Sequence, residues 1–293
     1  MSITSSHRHP RTLLVEPHEL ASELSFGSAI LIDFSRDEAD YEAAHLPGAR
    51  YLPADAVFHD TERRLRALRS EGEIQTVFGG IGIAPGDSVV IYDAGNVSYA
   101  ARLFLLFEIF GHLNVRVLNG GFFAWRAASL PTESGRTSPK ATGYSADSQL
   151  HEIVDSEWIA ERIGSNDLLL IDVRSQGEHF GTDRRALRGG HIPGSVNIDW
   201  QHNLSDGVSL KKRAQLAALY TRLLAPAEAP VHAGEDWPAS FPKTLVTYCQ
   251  SGVRAANTYF VLKYLGFPDV RIYLDSWQVW GNRPELPISA DAE

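Results

Sequence analysis

Residues 246–255 read Val-Thr-Tyr-Cys-Gln-Ser-Gly-Val-Arg-Ala and predict a strand end, a short loop and a helix start. The run before the loop is apolar and prone to form a strand, whereas residues 255–265 have the composition of a helix. The loop carries Cys249, the single cysteine of the chain. The first N–H groups of a helix lack internal partners and favour negative charge, so a thiol placed here is expected to be a nucleophile.

The same series of elements occurs twice along the chain. Asp33 and Asp172 each close a short apolar run that is typical of a buried strand, and a Pro-Gly turn follows each of them, at 47–48 and 193–194. Trp125 and Trp280 hold matching positions, each near the end of its own copy. A repeat of this length indicates a duplicated domain rather than a solenoid. Because strands alternate with helices, each copy is predicted to be an α/β domain with a mostly parallel sheet flanked by helices.

The duplication also shows a difference between the copies. Tyr248-Cys249 in the second copy corresponds to Tyr92-Asp93 in the first. The Pro-, Gly- and Ser-bearing stretch 129–139 is interpreted as the linker. We therefore predict a first domain over residues 1–145, which keeps the scaffold without the nucleophile, and a second over residues 146–293. Ligands of parallel sheets bind at the carboxyl ends of strands, where Cys249 is expected to lie.

Composition narrows the class of protein further. The chain has 293 residues, of which 44% are hydrophobic and 22% charged, as in ordinary globular proteins, and its net charge of −9 argues against a nucleic-acid partner. A single cysteine excludes intrachain disulfides and cysteine-based metal clusters, and it favours a reducing, cytoplasmic location. No apolar run is long enough to span a membrane. Two fused domains would bury a face against each other, so a monomer is expected.

These features together resemble the two-domain rhodanese-type sulfurtransferases, the family that includes thiosulfate sulfurtransferase and 3-mercaptopyruvate sulfurtransferase. The matching motifs are His-Leu-Pro-Gly at 45–48, His-Ile-Pro-Gly at 191–194, the loop 248–255, Gly-Phe at 266–267 and Asp-Ser-Trp at 275–277. The resemblance covers most of the chain. It implies two tandem rhodanese-like domains, of which the first is non-catalytic with Asp93 at the cysteine position and the second is catalytic.

The resemblance implies an enzyme that works through a persulfide on Cys249. The thiolate would take the outer sulfur of a small anionic donor and pass it to cyanide or to a thiol acceptor such as thioredoxin or glutathione. Neither a metal nor an organic cofactor is implied. The active-site loop comprises Gln250, Ser251, Gly252, Val253 and Arg254. Its backbone N–H groups are expected to stabilise the thiolate and the persulfide.

Two other functions are weighed against this one. Phosphatases and arsenate reductases of similar fold have five residues between the cysteine and an arginine, which widens the loop to hold a phosphate-sized anion. Here four residues separate Cys249 from Arg254, and Ala255 follows, so a sulfur-sized loop is favoured. A rhodanese module that only binds partners is the second alternative. The intact cysteine loop counts against it.

The sequence leaves the donor open between thiosulfate and 3-mercaptopyruvate, and it favours thiosulfate. Sulfite leaves as an anion and needs positive charge nearby, whereas the enolate of pyruvate gains from a proton donor. Gln250 and Ser251 are neutral, as is common in mercaptopyruvate enzymes, while Arg254 adds one positive charge. Glu178 stands where one branch of the family has an arginine, and bacterial thiosulfate enzymes also have glutamate near that place.

The residues that bind the donor are sought among arginines of the second domain. The segment between Asp172 and His191 is longer than its counterpart in the first domain and is rich in Arg and Gly. Its candidates for the donor's anionic group are Arg184, Arg185 and Arg188. His45 is a further candidate, because it is expected to reach across the cleft between the domains toward Cys249.

Overall fold

The computed structural model describes residues 12–27, 29–35, 37–60, 66–146, 148, 150–224 and 244–290, and they form two α/β units. The strands of the first unit are β1 (Leu14–Val15), β2 (Ile30–Asp33), β3 (Arg50–Tyr51), β4 (Phe58–Asp60), β5 (Arg66–Leu68), β6 (Val89–Tyr92) and β7 (Val115–Leu118). Its helices are α1 (Pro17–Leu24), α2 (Glu38–Ala43), α3 (Ala54–Val57), α4 (Glu71–Gly80), α5 (Ser98–Ile109) and α6 (Gly121–Ala127).

Among the residues that the structure describes, the second unit repeats this series with fewer strands. Its strands are β8 (Leu168–Asp172), β9 (Val196–Asn197), β10 (Thr244–Tyr248) and β11 (Val270–Ile272). Its helices are α7 (Ser156–Ala160), α8 (Gln176–His179), α9 (Arg213–Leu224), α10 (Val253–Leu265) and α11 (Ser276–Trp280), with 3₁₀ turns at Leu150–Glu152 and Trp200–Asn203.

The two sheets have the same strand order, which confirms the predicted α/β fold. The first sheet runs β1-β7-β6-β2-β3 and the second β11-β10-β8-β9, and all their ladders are parallel. A parallel bridge between Ile153 and Ile272 extends the second sheet at the edge where β1 extends the first. The central strands β6 and β10 are buried along most of their length, as expected for strands covered by helices on both faces.

The sequence of residues 61–79 has a helical pattern and predicts one helix, and this prediction is wrong in part. Residues 61–65 lie outside the described residues, and residues 66–68 form β5, which pairs antiparallel with β4. The helix α4 begins only at Glu71, where Ser70 and Glu73 form a capping box. The capping box is a local start signal, and the pairing with β4 keeps the preceding residues extended.

The helices α5 and α10 pack against each other between the two sheets. The rings of Phe104 and Phe260 meet edge to face at 4.9 Å, and both residues are fully buried. Most residues of each helix are buried, as expected of a helix enclosed by its surroundings. A glycine follows the last residues of each helix, as the sequence predicts for a helix end: Gly111 (φ 65°) comes after the cap residue Phe110 of α5, and Gly266 (φ 91°) caps α10, both in the left-handed conformation that glycine adopts without strain.

The predicted linker 129–139 lies along the first unit. Glu133 forms an antiparallel bridge with His45, and Gly135 donates its N–H to the carbonyl of Glu42 at 2.8 Å. The side chain of Thr137 donates to the carbonyl of Ala49 at 2.9 Å. These bonds attach the segment to α2 and to the turn that follows it, before the chain enters the second unit. Over the described residues, none of the helices combines the length and the apolar character needed to cross a membrane.

Candidate active site

Cys249 lies directly after the central strand β10, at the start of the loop that leads into α10. Its side chain is buried, and the sulfur accepts a hydrogen bond from the N–H of Gly252 at 3.1 Å. Gly252 caps α10 with φ 81°, and a Cβ there would lie 2.8 Å from the carbonyl oxygen of Leu274. A glycine is therefore needed both for the left-handed turn and for the close approach of the neighbouring segment.

The rest of the loop is held by the start of α11. The carbonyl of Cys249 accepts from Trp277 N–H at 3.0 Å, and that of Gln250 accepts from Gln278 N–H at 3.0 Å. The N–H of Cys249 donates to the hydroxyl of Ser276 at 3.1 Å. With these carbonyls bound to α11, the loop turns the Gly252 N–H toward the sulfur, where it stabilises negative charge.

Arg254 is bound to Glu178 rather than free to face a ligand. Its two terminal nitrogens lie 2.6 and 2.8 Å from the carboxylate oxygens, and the side chain of Glu178 is only 2% exposed. Burial opposes the charge on Arg254, but the bond to Glu178 and the nearby Cys249 outweigh it and raise the pKa of Arg254 above its ordinary value. Burial also opposes the charge on Glu178, yet Arg254 lowers its pKa. The pair connects α10 to α8.

Arg185 lies beside this pair and has only long, exposed ion pairs. Its guanidinium Nε lies 3.7 Å from a Glu178 oxygen, a second nitrogen lies 3.3 Å from Asp183, and its side chain is 54% exposed. Its backbone carbonyl accepts a hydrogen bond from the side-chain amide of Gln250 at 3.1 Å. Arg185 thus adjoins the cysteine loop while its charge reaches solvent, with long and exposed contacts that cost little to exchange for a ligand.

The other two candidate arginines lie differently. Arg184 is exposed and donates to the carbonyl of Ala186 at 3.2 Å. The guanidinium of Arg188 donates to four backbone carbonyls, those of Trp280, Gly281, Arg283 and Leu286. Arg188 therefore anchors the segment that follows α11, and its donors are taken up by the protein itself.

His45 does not reach toward Cys249, contrary to the expectation from the sequence. It is 1% exposed, its Nδ1 lies 2.7 Å from the carbonyl of Tyr41, and its Nε2 lies 3.3 Å from Glu133. Its ring also stacks on that of Tyr41 at 4.0 Å. Both ring nitrogens are used within the first unit, because the Pro-Gly turn that carries His45 folds back onto α2 and the linker.

Two site residues were not predicted as such from the sequence. Ser276 receives the N–H of Cys249, and Glu178 binds Arg254. A local signal exists for Glu178, since Ser175 and Glu178 form a capping box at the start of α8. For Ser276 the signal is its place in the Asp-Ser-Trp motif at 275–277, which carries the family resemblance without assigning a role to the hydroxyl.

The matching loop of the first unit is filled by its own aspartate. Asp93 is buried, and one carboxylate oxygen accepts from the N–H groups of Tyr99 and Ala100 at 3.0 and 3.1 Å. Burial raises the pKa of Asp93 to about 7 although backbone hydrogen bonds oppose the shift. The helix cap is Val97, four residues after Asp93, whereas Gly252 follows Cys249 by three. The longer loop leaves room for the carboxylate inside it.

Comparison with known proteins agrees with this architecture. The family model described as the rhodanese-like domain matches residues 16–128 and again 155–283. The thiosulfate sulfurtransferase of Corynebacterium glutamicum is 35% identical over 307 residues, covering 96% of this chain and 91% of its own. The enzyme of the same name from Pseudomonas aeruginosa is 31% identical over 278 residues, covering 94% and 96%.

A solved structure shows the same fold at lower identity. SseA from Escherichia coli, described among the 3-mercaptopyruvate enzymes, superimposes with a TM-score of 0.73 at 23% identity, over 92% of this chain and all of its own. The two family matches coincide with the two sheets of the structure. The chain therefore belongs to the rhodanese-like family, in which it is a sulfurtransferase with two tandem rhodanese-like domains.

Proposed function

We propose that the protein moves the outer sulfur of thiosulfate to cyanide or to a thiol acceptor through a persulfide on Cys249. The observation that carries this proposal is the buried Cys249 sulfur, which accepts the N–H of Gly252 at the start of α10. A thiolate at such a place is stabilised by the hydrogen bond from the backbone N–H group. The names of the Corynebacterium and Pseudomonas relatives support thiosulfate as the donor.

The first step forms a sulfur–sulfur bond on the enzyme. The Cys249 thiolate attacks the outer sulfur of thiosulfate, the original sulfur–sulfur bond breaks, and its electron pair leaves with sulfite. In the second step the acceptor attacks the outer sulfur of the persulfide, and Cys249 departs as a thiolate. Cyanide becomes thiocyanate, whereas a thiol acceptor becomes a persulfide after losing its proton. The first step moves the negative charge from the Cys249 sulfur to the outer sulfur of the persulfide, and the second step returns it to the Cys249 sulfur, which accepts the N–H of Gly252.

Arg185 is the residue that we assign to the sulfonate oxygens of the donor. Sulfite leaves as an anion, so a cation near it stabilises the transition state, and no proton is needed. Arg254 is neutralised by Glu178, and Arg188 is bound by backbone carbonyls. The 3-mercaptopyruvate alternative is favoured by one feature, the hydroxyl of Ser251 two residues after Cys249, which could give a proton to the enolate of pyruvate.

The experiment compares the two donors directly. The protein is incubated with thiosulfate or with 3-mercaptopyruvate, and intact mass spectrometry measures the gain of one sulfur atom before and after cyanide is added. We expect thiosulfate to load the protein, cyanide to unload it as thiocyanate, and Cys249→Ser to block both steps. Turnover by Cys249→Ser would contradict the mechanism, and loading by 3-mercaptopyruvate alone would reverse the choice of donor.

A further inference from the structure

A buried polar side chain links the catalytic helix to the first domain. Asn257 lies about one turn into α10 and is fully buried. Its Nδ2 donates to the backbone carbonyl of Asn96 in the first domain at 2.9 Å. Its Oδ1 accepts a hydrogen bond from the side chain of Asn203 at 2.9 Å. Both functional atoms of the amide are therefore used, each toward a different segment.

The network continues behind Asn203. The side-chain oxygen of Asn203 accepts from the hydroxyl of Tyr220 at 2.8 Å, and its nitrogen also donates to the hydroxyl of Thr258 at 3.1 Å. Burial raises the pKa of Tyr220 above its ordinary value, so this hydroxyl keeps its proton. Satisfied buried hydrogen bonds are directional, and breaking one leaves a costly unpaired group. The network consequently favours one orientation of α10 against the first domain.

The carbonyl that receives Asn257 belongs to the loop that matches the active-site loop. Within this silent loop, residues 93–97, Asn96 and Val97 both have φ of 66°. A β-branched residue in the left-handed region is strained, and such strain persists only where the surroundings impose it. Asp93 holds the loop in this strained conformation from inside, by accepting two backbone N–H groups. From outside, the N–H of Asn96 donates to the carbonyl of Val208 in the second domain at 3.0 Å.

We propose that Asn257 is a positioning residue for sulfur transfer, which uses the silent loop of the first domain to hold the start of α10. The N–H that faces the Cys249 sulfur belongs to Gly252, the cap of this helix, so the position of the helix start sets the environment of the thiolate. The proposal rests on the proposed role of Cys249. It also gives the first domain a part in catalysis although it has no nucleophile.

The test compares two contacts between the domains at opposite ends of α10. Asn257→Ala removes the contact near the cysteine. Lys263→Met removes the ion pairs to Glu108 and Glu152 near the other end, where Lys263 lies 3.3 and 3.0 Å from the two carboxylates. We expect Asn257→Ala to lower kcat about tenfold with KM changed less than about twofold, since small misplacements of reacting groups are costly. We expect Lys263→Met to lose stability but keep its kcat.

A second measurement does not depend on the sulfur donor. The rate at which iodoacetamide alkylates Cys249 is followed against pH, because only the thiolate reacts. If the helix start is displaced, the midpoint of this curve moves to higher pH in Asn257→Ala and stays in place in Lys263→Met. The alkylation measurement tests the role of Asn257 without relying on the proposed reaction. If the wild-type protein fails to accept sulfur, the proposed reaction is disproved, but the alkylation curves still show whether Asn257 positions Cys249.

A third variant serves if Asn257→Ala does not fold. Asn257→Asp keeps the acceptor for Asn203 and loses the donor to the Asn96 carbonyl while it is ionised. We expect its kcat, relative to wild type, to recover as the pH falls and the carboxylic acid donates again. An unshifted alkylation midpoint with wild-type kcat in the Asn257 variants, or equal losses in Lys263→Met, would overturn the proposal.

Discussion

Cys249 and Asp93 occupy matching positions at the ends of β10 and β6, and each places a group that can carry negative charge inside a buried loop. In the proposed mechanism the Cys249 thiolate reacts with the outer sulfur of a donor, and one backbone N–H lies 3.1 Å from this sulfur. The carboxyl group of Asp93 instead fills its loop and uses two N–H groups. The first copy therefore lacks the thiol, and in addition its loop is filled by the carboxyl group of Asp93.

Asp93→Asn tests the cost of burying that carboxylate. The pKa of Asp93 is raised to about 7, above the value of an unfolded chain, so its protonated form favours folding at low pH and this contribution is lost as the pH rises through 7. We expect the unfolding free energy of Asp93→Asn, measured relative to that of wild type, to rise by roughly 1–3 kcal/mol as the pH is raised from 5 to 8. Urea unfolding at both pH values measures this. A pH-independent difference would contradict the interpretation.

Arg185→Gln tests the residue assigned to the donor. Removing an exposed cation that contacts the sulfonate should raise KM for thiosulfate about tenfold, with a smaller effect on kcat, because the contact forms on binding and persists in the transition state. Arg184→Gln is the matched control, since Arg184 is exposed on the same segment and has no contact with Glu178 or Gln250 among those that the structure records. Steady-state rates of thiocyanate formation measure both. Equal effects of the two variants would remove the assignment.

At the scale of elements, the active site depends on where α10 begins. Gly252 caps the helix with φ 81° and approaches Leu274, so Ala at this place adds backbone strain and a close contact. Gly266, at the other end of the same helix, has φ 91° with open space around it. The two glycines thus share a left-handed conformation and differ in their neighbours.

The variants Gly252→Ala and Gly266→Ala separate the cost of the left-handed conformation, which both share, from the cost of the close contact with Leu274, which only Gly252 has. We expect Gly266→Ala to lose about 1 kcal/mol of unfolding free energy and to keep its activity. Gly252→Ala should lose roughly 2–4 kcal/mol and reduce kcat, because the displaced N–H no longer faces the Cys249 sulfur. Urea unfolding and thiocyanate assays of the two variants measure both effects. Comparable kcat values in the two variants would show that the cap does not act on the thiolate.

At the scale of the molecule, the two sheets share one apolar core through α5 and α10. The buried cluster that contains Phe104 also contains Phe260, together with residues of both central strands. The interface therefore resembles the interior of a single domain, and the units are expected to unfold together. Lys263 adds ion pairs to Glu108 on α5 and to Glu152 at the edge of this contact.

Phe260→Ala tests this shared core. Loss of a buried aromatic ring and the cavity left behind should lower the unfolding free energy by about 3–5 kcal/mol. Phe123→Ala is the control, because this ring is 62% exposed and its removal should change the free energy by less than about 0.5 kcal/mol. Urea unfolding followed by circular dichroism and by tryptophan fluorescence should give coincident transitions. Separate transitions for the two signals in wild type would show that the domains unfold independently.

Much of the fold could be predicted from the sequence. The apolar runs that became β2, β6, β8 and β10, the glycines that end α5 and α10, and the repeat itself are local patterns along the chain. The part that failed, residues 66–68, is a short strand whose conformation depends on pairing with β4 rather than on its own composition. Secondary structure set by such pairing has a weak local signal.

The sequence by itself determined which residue is the nucleophile candidate and which copy of the site lacks it, because a strand, a cysteine and a helix start adjoin one another in the chain. Only the tertiary structure decided that Arg254 is neutralised by Glu178, that Arg188 and His45 are bound elsewhere, and that Asn257 reaches Asn96. These contacts join segments that lie far apart in the chain. Their partners are selected by the paths of loops and by the packing of α5 on α10, which leave no periodic pattern in the sequence.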